Sequence, residues 1–95
     1  MMDNPKHYLA NPLVSCGEEE DGALLFNPDT NDSAIINPTG QVIWSFLALP
    51  HTLDEIAAHL VEFFQGVSTE QANQDAARFI QALTPDFVLE PSDGN

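Results

Sequence analysis

The dipeptide Asn37-Pro38 constrains this chain more than any other feature. Before it, "SAII" (Ser33 to Ile36) reads as a strand. After it, Val42, Ile43, Phe46 and Leu47 recur in the i, i+1, i+4, i+5 pattern of a buried helical face. A residue preceding proline is pushed out of the α region, so the helix cannot extend backwards through Asn37. Proline itself suits the first helical position, where its missing N–H has no partner to lose, and asparagine is a favoured N-cap. Strand must therefore give way to helix with no loop between them. The same junction disposes of a carrier-protein reading, in which Ser33 of "DSAII" would take a prosthetic arm at the start of a long helix.

Further punctuation fixes the remaining elements. "LVSC" (Leu13 to Cys16) reads as a first strand and "GEEEDG" (Gly17 to Gly22) as its turn. "ALLF" (Ala23 to Phe26) is a second strand, and "NPDTND" (Asn27 to Asp32) is dense in turn formers. Thr52 with Glu55 predicts a capping box opening a second helix from Leu53 to about Gln65, closed by Gly66. Its apolar positions are Leu53, Ile56, Ala57, Leu60, Val61 and Phe64, with His59 on the polar side. Ser68 with Gln71 predicts another box and a third helix to about Leu83, with Ala72, Ala76, Phe79, Ile80 and Leu83 as its stripe. Pro50 and Pro85 end the first and third helices, and "FVLE" (Phe87 to Glu90) is a short extended piece. The expected fold is α+β: a three-stranded antiparallel meander followed by three helices, winged-helix-like in outline. Residues 13–90 form the single domain. Residues 1–12 are expected to be a flexible N-terminal arm and 91–95 a tail.

That outline suits a DNA-binding protein, but the charge does not. Lys6 and Arg78 are the only basic residues, and the formal net charge is −13. Nucleic-acid binding rests on clustered cations that neutralise phosphates, so DNA and RNA are excluded as direct partners. An anionic membrane surface is disfavoured for the same reason. The longest apolar stretch, Val42 to Leu49, is too short to span a bilayer. No apolar run behind a basic region opens the chain, so no secretory signal is expected and the cytoplasm is the default address.

Chemistry is hard to find. His7, His51 and His59 show no metal-ligand spacing, and the glutamates of "GEEEDG" lack the alternation of a calcium loop. There is no nucleophile elbow, phosphate loop or dinucleotide fingerprint. Asp54 and Glu55 are adjacent carboxylates, but they open a helix, where negative charge complements the dipole. Cys16 is the only cysteine, so no internal disulfide can form, and its apolar-alternating segment predicts a buried structural thiol. No catalytic residue, metal or cofactor is expected, and the chain is read as a non-enzyme.

"LLFNPDTNDSAIIN", "PTGQVIWSFL" and "HTLDEIAAHLVEFF" taken together resemble the PqqD-like family of small peptide-binding chaperones. Asn27-Pro28-Asp29-Thr30 matches the family's hairpin turn, Ile36-Asn37 its strand end, and Ile43-Trp44 its "IW" pair. Thr52 to Ile56 matches the start of its second helix, and "DFVLEP" its closing segment. The resemblance covers about residues 22–90. Three departures stand out: Ala48-Leu49-Pro50-His51 replaces the usual Asp-Gly link, "TPDF" replaces a glycine-bearing turn, and family members are usually less short of basic residues.

The resemblance implies that the leader of a ribosomally made precursor peptide adds to the edge of the third strand as a further strand. The third helix forms the other wall of the groove. The implied contact residues are Ser33, Ala34, Ile35 and Ile36 on the strand, with Asp75, Arg78, Phe79 and Ala82 on the helix. The implied second partner is a modifying enzyme, commonly a radical S-adenosylmethionine enzyme. Ile35, Ile36, Phe79 and Trp44 would equally serve as core in any small domain. Strand alternation puts Ala34 and Ile36 opposite Ser33 and Ile35 without saying which pair faces inward. An unpaired edge leaves a strand-exchanged homodimer open. Two other functional readings compete: an acidic regulator that mimics nucleic acid or blocks a basic partner, supported by charge alone, and a subunit that stabilises a larger enzyme.

Overall fold

The computed structural model describes residues 6–90. The element order is β1 (Leu9–Ala10), β2 (Ser15–Glu19), β3 (Gly22–Asn27), β4 (Asp32–Ile36), α1 (Pro38–Phe46), α2 (Leu53–Phe63), α3 (Thr69–Leu83) and β5 (Val88–Leu89). β2, β3 and β4 form an antiparallel sheet in that order, and β1 pairs with β5 in a small separate ribbon. The chain is thus α+β, a three-stranded meander followed by three helices.

The caps follow from the residues that make them. Asn37 sits in extended backbone and its side chain accepts from the Gly40 N–H at 2.8 Å. Thr52 and Glu55 form both halves of a capping box, at 3.1 and 3.0 Å. Ser68 accepts from the Gln71 N–H, but the Gln71 amide turns forward to Asp75 instead of back to the cap. That cap is half of the box that the sequence suggests.

The core lies between the inner face of the sheet and the helices. Ala23, Leu25 and Ile36 point inward from β3 and β4 onto Ile43, Leu47, Ile56, Leu60, Ala72, Ala76 and Ile80. Val61, grouped with the apolar face of α2 in the sequence, is 38% exposed. Gly22 is required where β3 begins. Its φ is 135°, and a side chain there would collide with the Ile36 carbonyl. This close approach locks the start of β3 against the end of β4, just before the Asn37-Pro38 junction.

Three expectations need correction. β2 begins at Ser15 and runs to Glu19, so its pairing with β3 carries the strand into the acidic run that looked like a turn. Cys16 is exposed: β2 packs chiefly on β3, whereas α1 packs on β3 and β4. Residues 8–11 are not a loose arm. Tyr8 exchanges backbone hydrogen bonds with His51, Ala10 donates to Leu47, and Asn11 donates to Phe87. Residues 1–5 of the expected arm and the expected tail, 91–95, lie outside the described residues.

Candidate functional site

β4 is a sheet edge: it pairs with β3 on one side and, among the described residues, with no strand on the other. Its burial resolves the ambiguity of its faces. Ile36 is buried and Ala34 half-buried toward the helices, whereas Ser33 and Ile35 face outward. Ile35, 83% exposed, is the most exposed large hydrophobic residue among those described.

Beside this edge runs a groove of about 350 Å³. Ile35 and Ile36 border it on the strand side. Asp75, Arg78, Phe79, Ala82 and Leu83 of α3 form the opposite wall, and Asn37, Thr39, Gly40 and Ile43 form its floor. The α3 contributors lie at i, i+3, i+4, i+7 and i+8, which is one helical stripe. The N-terminus of α1 can sit between strand and helix only because strand passes to helix without a loop.

Of the residues named from the sequence, Ile35, Ile36, Asp75, Arg78, Phe79 and Ala82 line this groove. Ser33 and Ala34 sit farther along β4 and do not. The floor residues of α1 escaped sequence reasoning. Gly40 was the available signal: a glycine inside a helix costs roughly 1 kcal/mol relative to alanine. Its reason is close packing, since an added Cβ would lie 3.1 Å from Ile36 Cβ and 3.2 Å from Phe79 Cε2.

The groove is largely apolar, with one ion pair at its rim. Arg78 Nη1 lies 3.7 Å from Asp75 Oδ1, and the Arg78 side chain is 72% exposed. Asp75 also accepts from the Gln71 amide at 2.9 Å. Such an exposed pair contributes little to stability and is free to exchange partners. Among the described residues, no group of three or more His, Cys, Asp or Glu side chains is placed to hold a metal ion, and no helix is long and apolar enough to cross a membrane.

The α1–α2 turn holds a further arrangement that the sequence did not disclose. Phe46 stacks against His51 at 3.8 Å and against His59 at 4.1 Å, nearly parallel to both. His59, placed on the polar side of α2 by periodicity, is half-buried in this stack. His51 also contacts Glu55 at 3.0 Å. The Thr52 N–H, and then His51, hold the Glu55 carboxyl below the usual glutamate range.

The solved structure of TbiB1 in complex with the TbiA(beta) leader peptide shares this fold. The TM-score is 0.73 at 20% sequence identity, over 90% of this chain and 99% of that one. No curated protein matches the sequence. The family model for coenzyme PQQ synthesis protein D matches residues 22–84, from the start of β3 through the end of α3. That span includes every element that borders the groove, and the chain belongs to the PqqD family.

Proposed function

We propose that this protein recognises the leader segment of a ribosomally synthesised precursor peptide and presents the rest of that peptide to a modifying enzyme of the radical S-adenosylmethionine class. The leader adds to β4 as a fourth strand, through the backbone groups that β3 leaves free. Its inward side chains enter the groove over Gly40 and Ile43, and α3 closes over them. Asp75 and Arg78 choose among leaders by charge. The protein's own role is binding, without turnover.

The observation that carries this reading is the coincidence of an open strand edge with an apolar groove along the same strand. A bare edge gives affinity without selection, and a bare groove gives selection without register. Together they read a strand-forming segment with apolar side chains at alternate positions. The similarity to a protein solved with a leader peptide supports the same reading.

Amide-shift mapping during titration with a candidate leader peptide is the test. Shifts concentrated on residues 32–40 and 75–83 are expected, with binding that survives moderate salt. Shifts confined to residues 17–22, and lost in moderate salt, would replace this reading with that of an acidic protein that blocks basic partners.

A further inference from the structure

α1 separates two grooves. Positions 39, 40 and 43 face the one beside β4. Val42, Ser45 and Phe46 face another, completed by His59, Phe63 and Phe64 of α2 and the residue that caps it. This second groove encloses about 590 Å³. Phe63, at its rim, is 59% exposed, and its ring meets Phe64 edge-to-face at 5.0 Å and His59 at 6.0 Å. A small protein gains no stability by leaving such a ring in water. The groove lies on the far side of α1 from β4, so a guest strand at β4 does not cover it.

The charges around it specify an occupant. α1 carries no charged residue, and α2 carries Asp54, Glu55 and Glu62 with no Lys or Arg. The chain's two cations are engaged elsewhere: Lys6 pairs with Glu90 at 2.8 Å, and Arg78 stands beside Asp75 at the β4 groove. The groove's own lining carries no carboxylate, but Glu55 and Glu62 lie four residues before and three after His59, on the same side of α2. An aromatic groove beside them, in a protein of net charge −13, is complementary to a guanidinium on an apolar stem. The aliphatic part of an arginine would lie along Val42 and Phe64. Its planar head would lie on Phe63.

We propose that the groove between α1 and α2 is a docking site for a basic segment of a partner protein, an arginine side chain of which enters the groove. The site is independent of the peptide-recognition reading, and the protein can carry a guest and a basic partner at once.

The probe is the peptide acetyl-Leu-Arg-Leu-Arg-amide, titrated at physiological salt while the aromatic carbon and proton shifts of the phenylalanines are followed. The control peptide replaces each arginine by citrulline, which keeps the shape and removes the charge. The arginine peptide should shift Phe63 and Phe64 and bind at least about fivefold more tightly than the citrulline peptide, the scale of one cation–π contact. Phe63→Ala should abolish that preference. Because Phe63 is exposed, this variant should keep the parent circular dichroism. Arg78→Ala, on the other side of α1, should leave the preference unchanged. Equal affinity for the two peptides would overturn the proposal, as would shifts confined to residues 17–22 or a preference that survives Phe63→Ala.

Discussion

β2 and β4 are the two edges of one sheet, and they are built in opposite ways. Every residue of β2 is exposed, two of its five are glutamates, and the turn beyond it adds Glu20 and Asp21. β4 carries one carboxylate, Asp32 at its far end, and its last residues border the apolar groove. Among the described residues, both edges present unpaired backbone groups of the same kind. Charge on an edge strand deters the addition of another chain, because a strand laid against it must desolvate those charges. β2 is thus guarded and β4 is open. Selectivity for one edge needs no difference in backbone, only a different placement of carboxylates and helices.

Proline substitution gives the largest expected effect. Along an antiparallel edge the N–H groups alternate between the paired side and the open side. Of Ala34 and Ile35, one therefore donates to β3 and the other outward. Placed at the first position, proline should destabilise the fold by about 1–3 kcal/mol, since it removes a ladder bond and strands its acceptor. Placed at the second, it should leave the melting temperature nearly unchanged and weaken leader binding by about fivefold or more. Chemical denaturation and calorimetry on both variants separate the two effects. Proline at an outward-donating position of β2 should leave leader affinity alone. An equal loss from β2 would break the asymmetry between the edges.

Gly40→Ala comes next. The added methyl would meet Ile36 Cβ at 3.1 Å, Phe79 Cε2 at 3.2 Å and Asn37 Oδ1 at 3.3 Å. Relief of glycine's helical penalty and the new crowding oppose one another, so stability should change by less than about 1 kcal/mol. The floor of the β4 groove rises all the same, and leader affinity should fall about tenfold. An unchanged dissociation constant would mean that guest side chains stay off the floor, leaving backbone pairing alone to hold the leader.

The β2 guard can be removed directly. Glu18→Thr with Glu19→Val converts the edge into a neutral, strand-favouring one. The double variant should associate reversibly at concentrations where the parent is monomeric, which sedimentation velocity detects. Leader affinity at β4 should be unaffected. If the variant stays monomeric, the carboxylates are not what keeps β2 unpaired.

What the sequence disclosed and what it hid follow the same line between local and distant causes. Asn37-Pro38, Thr52 with Glu55, and Ser68 act on neighbours within a turn, and each helix start was legible from them. The α3 residues at the groove were named through the family resemblance, because the apolar stripe read from spacing, Ala72, Ala76, Phe79, Ile80 and Leu83, marks the side of α3 that packs on the core and leaves Asp75, Arg78 and Ala82 out. β1 was not legible, since Leu9–Ala10 becomes a strand only by pairing with Val88–Leu89 at the other end of the chain. Asn27 had the look of a turn former. It does accept from the Asp29 N–H at 2.8 Å, but it is also buried, and its amide donates to the Asp86 carbonyl at 2.7 Å, tying the hairpin to the turn between α3 and β5. The exposure of Cys16 was hidden too, because alternation along β2 assigns a face and cannot say that no helix covers it.

Cys16 reports on the charge of the guarded edge, with the smallest of these effects. Partial burial pushes its thiol above the ordinary cysteine range, and the carboxylate of Glu18, two residues along the same face of β2, pushes it the same way. The thiolate is the reactive form, so alkylation by iodoacetamide at pH 8 should be slower than that of free cysteine. The rate should rise about tenfold per pH unit until the thiol ionises. Glu18→Gln removes the lesser cause and leaves burial in place. It should therefore speed the reaction by no more than about twofold to threefold, and added salt should have a similar effect on the parent protein while leaving the variant unchanged. A thiol placed on the other edge completes the comparison. Ser33 is exposed, and its register partner on β3 is the uncharged Phe26. In a variant that combines Ser33→Cys with Cys16→Ser, the introduced thiol should react faster than Cys16 in the parent. If it is instead slower, carboxylates dominate the potential at both edges, and the open character of β4 rests on its groove alone.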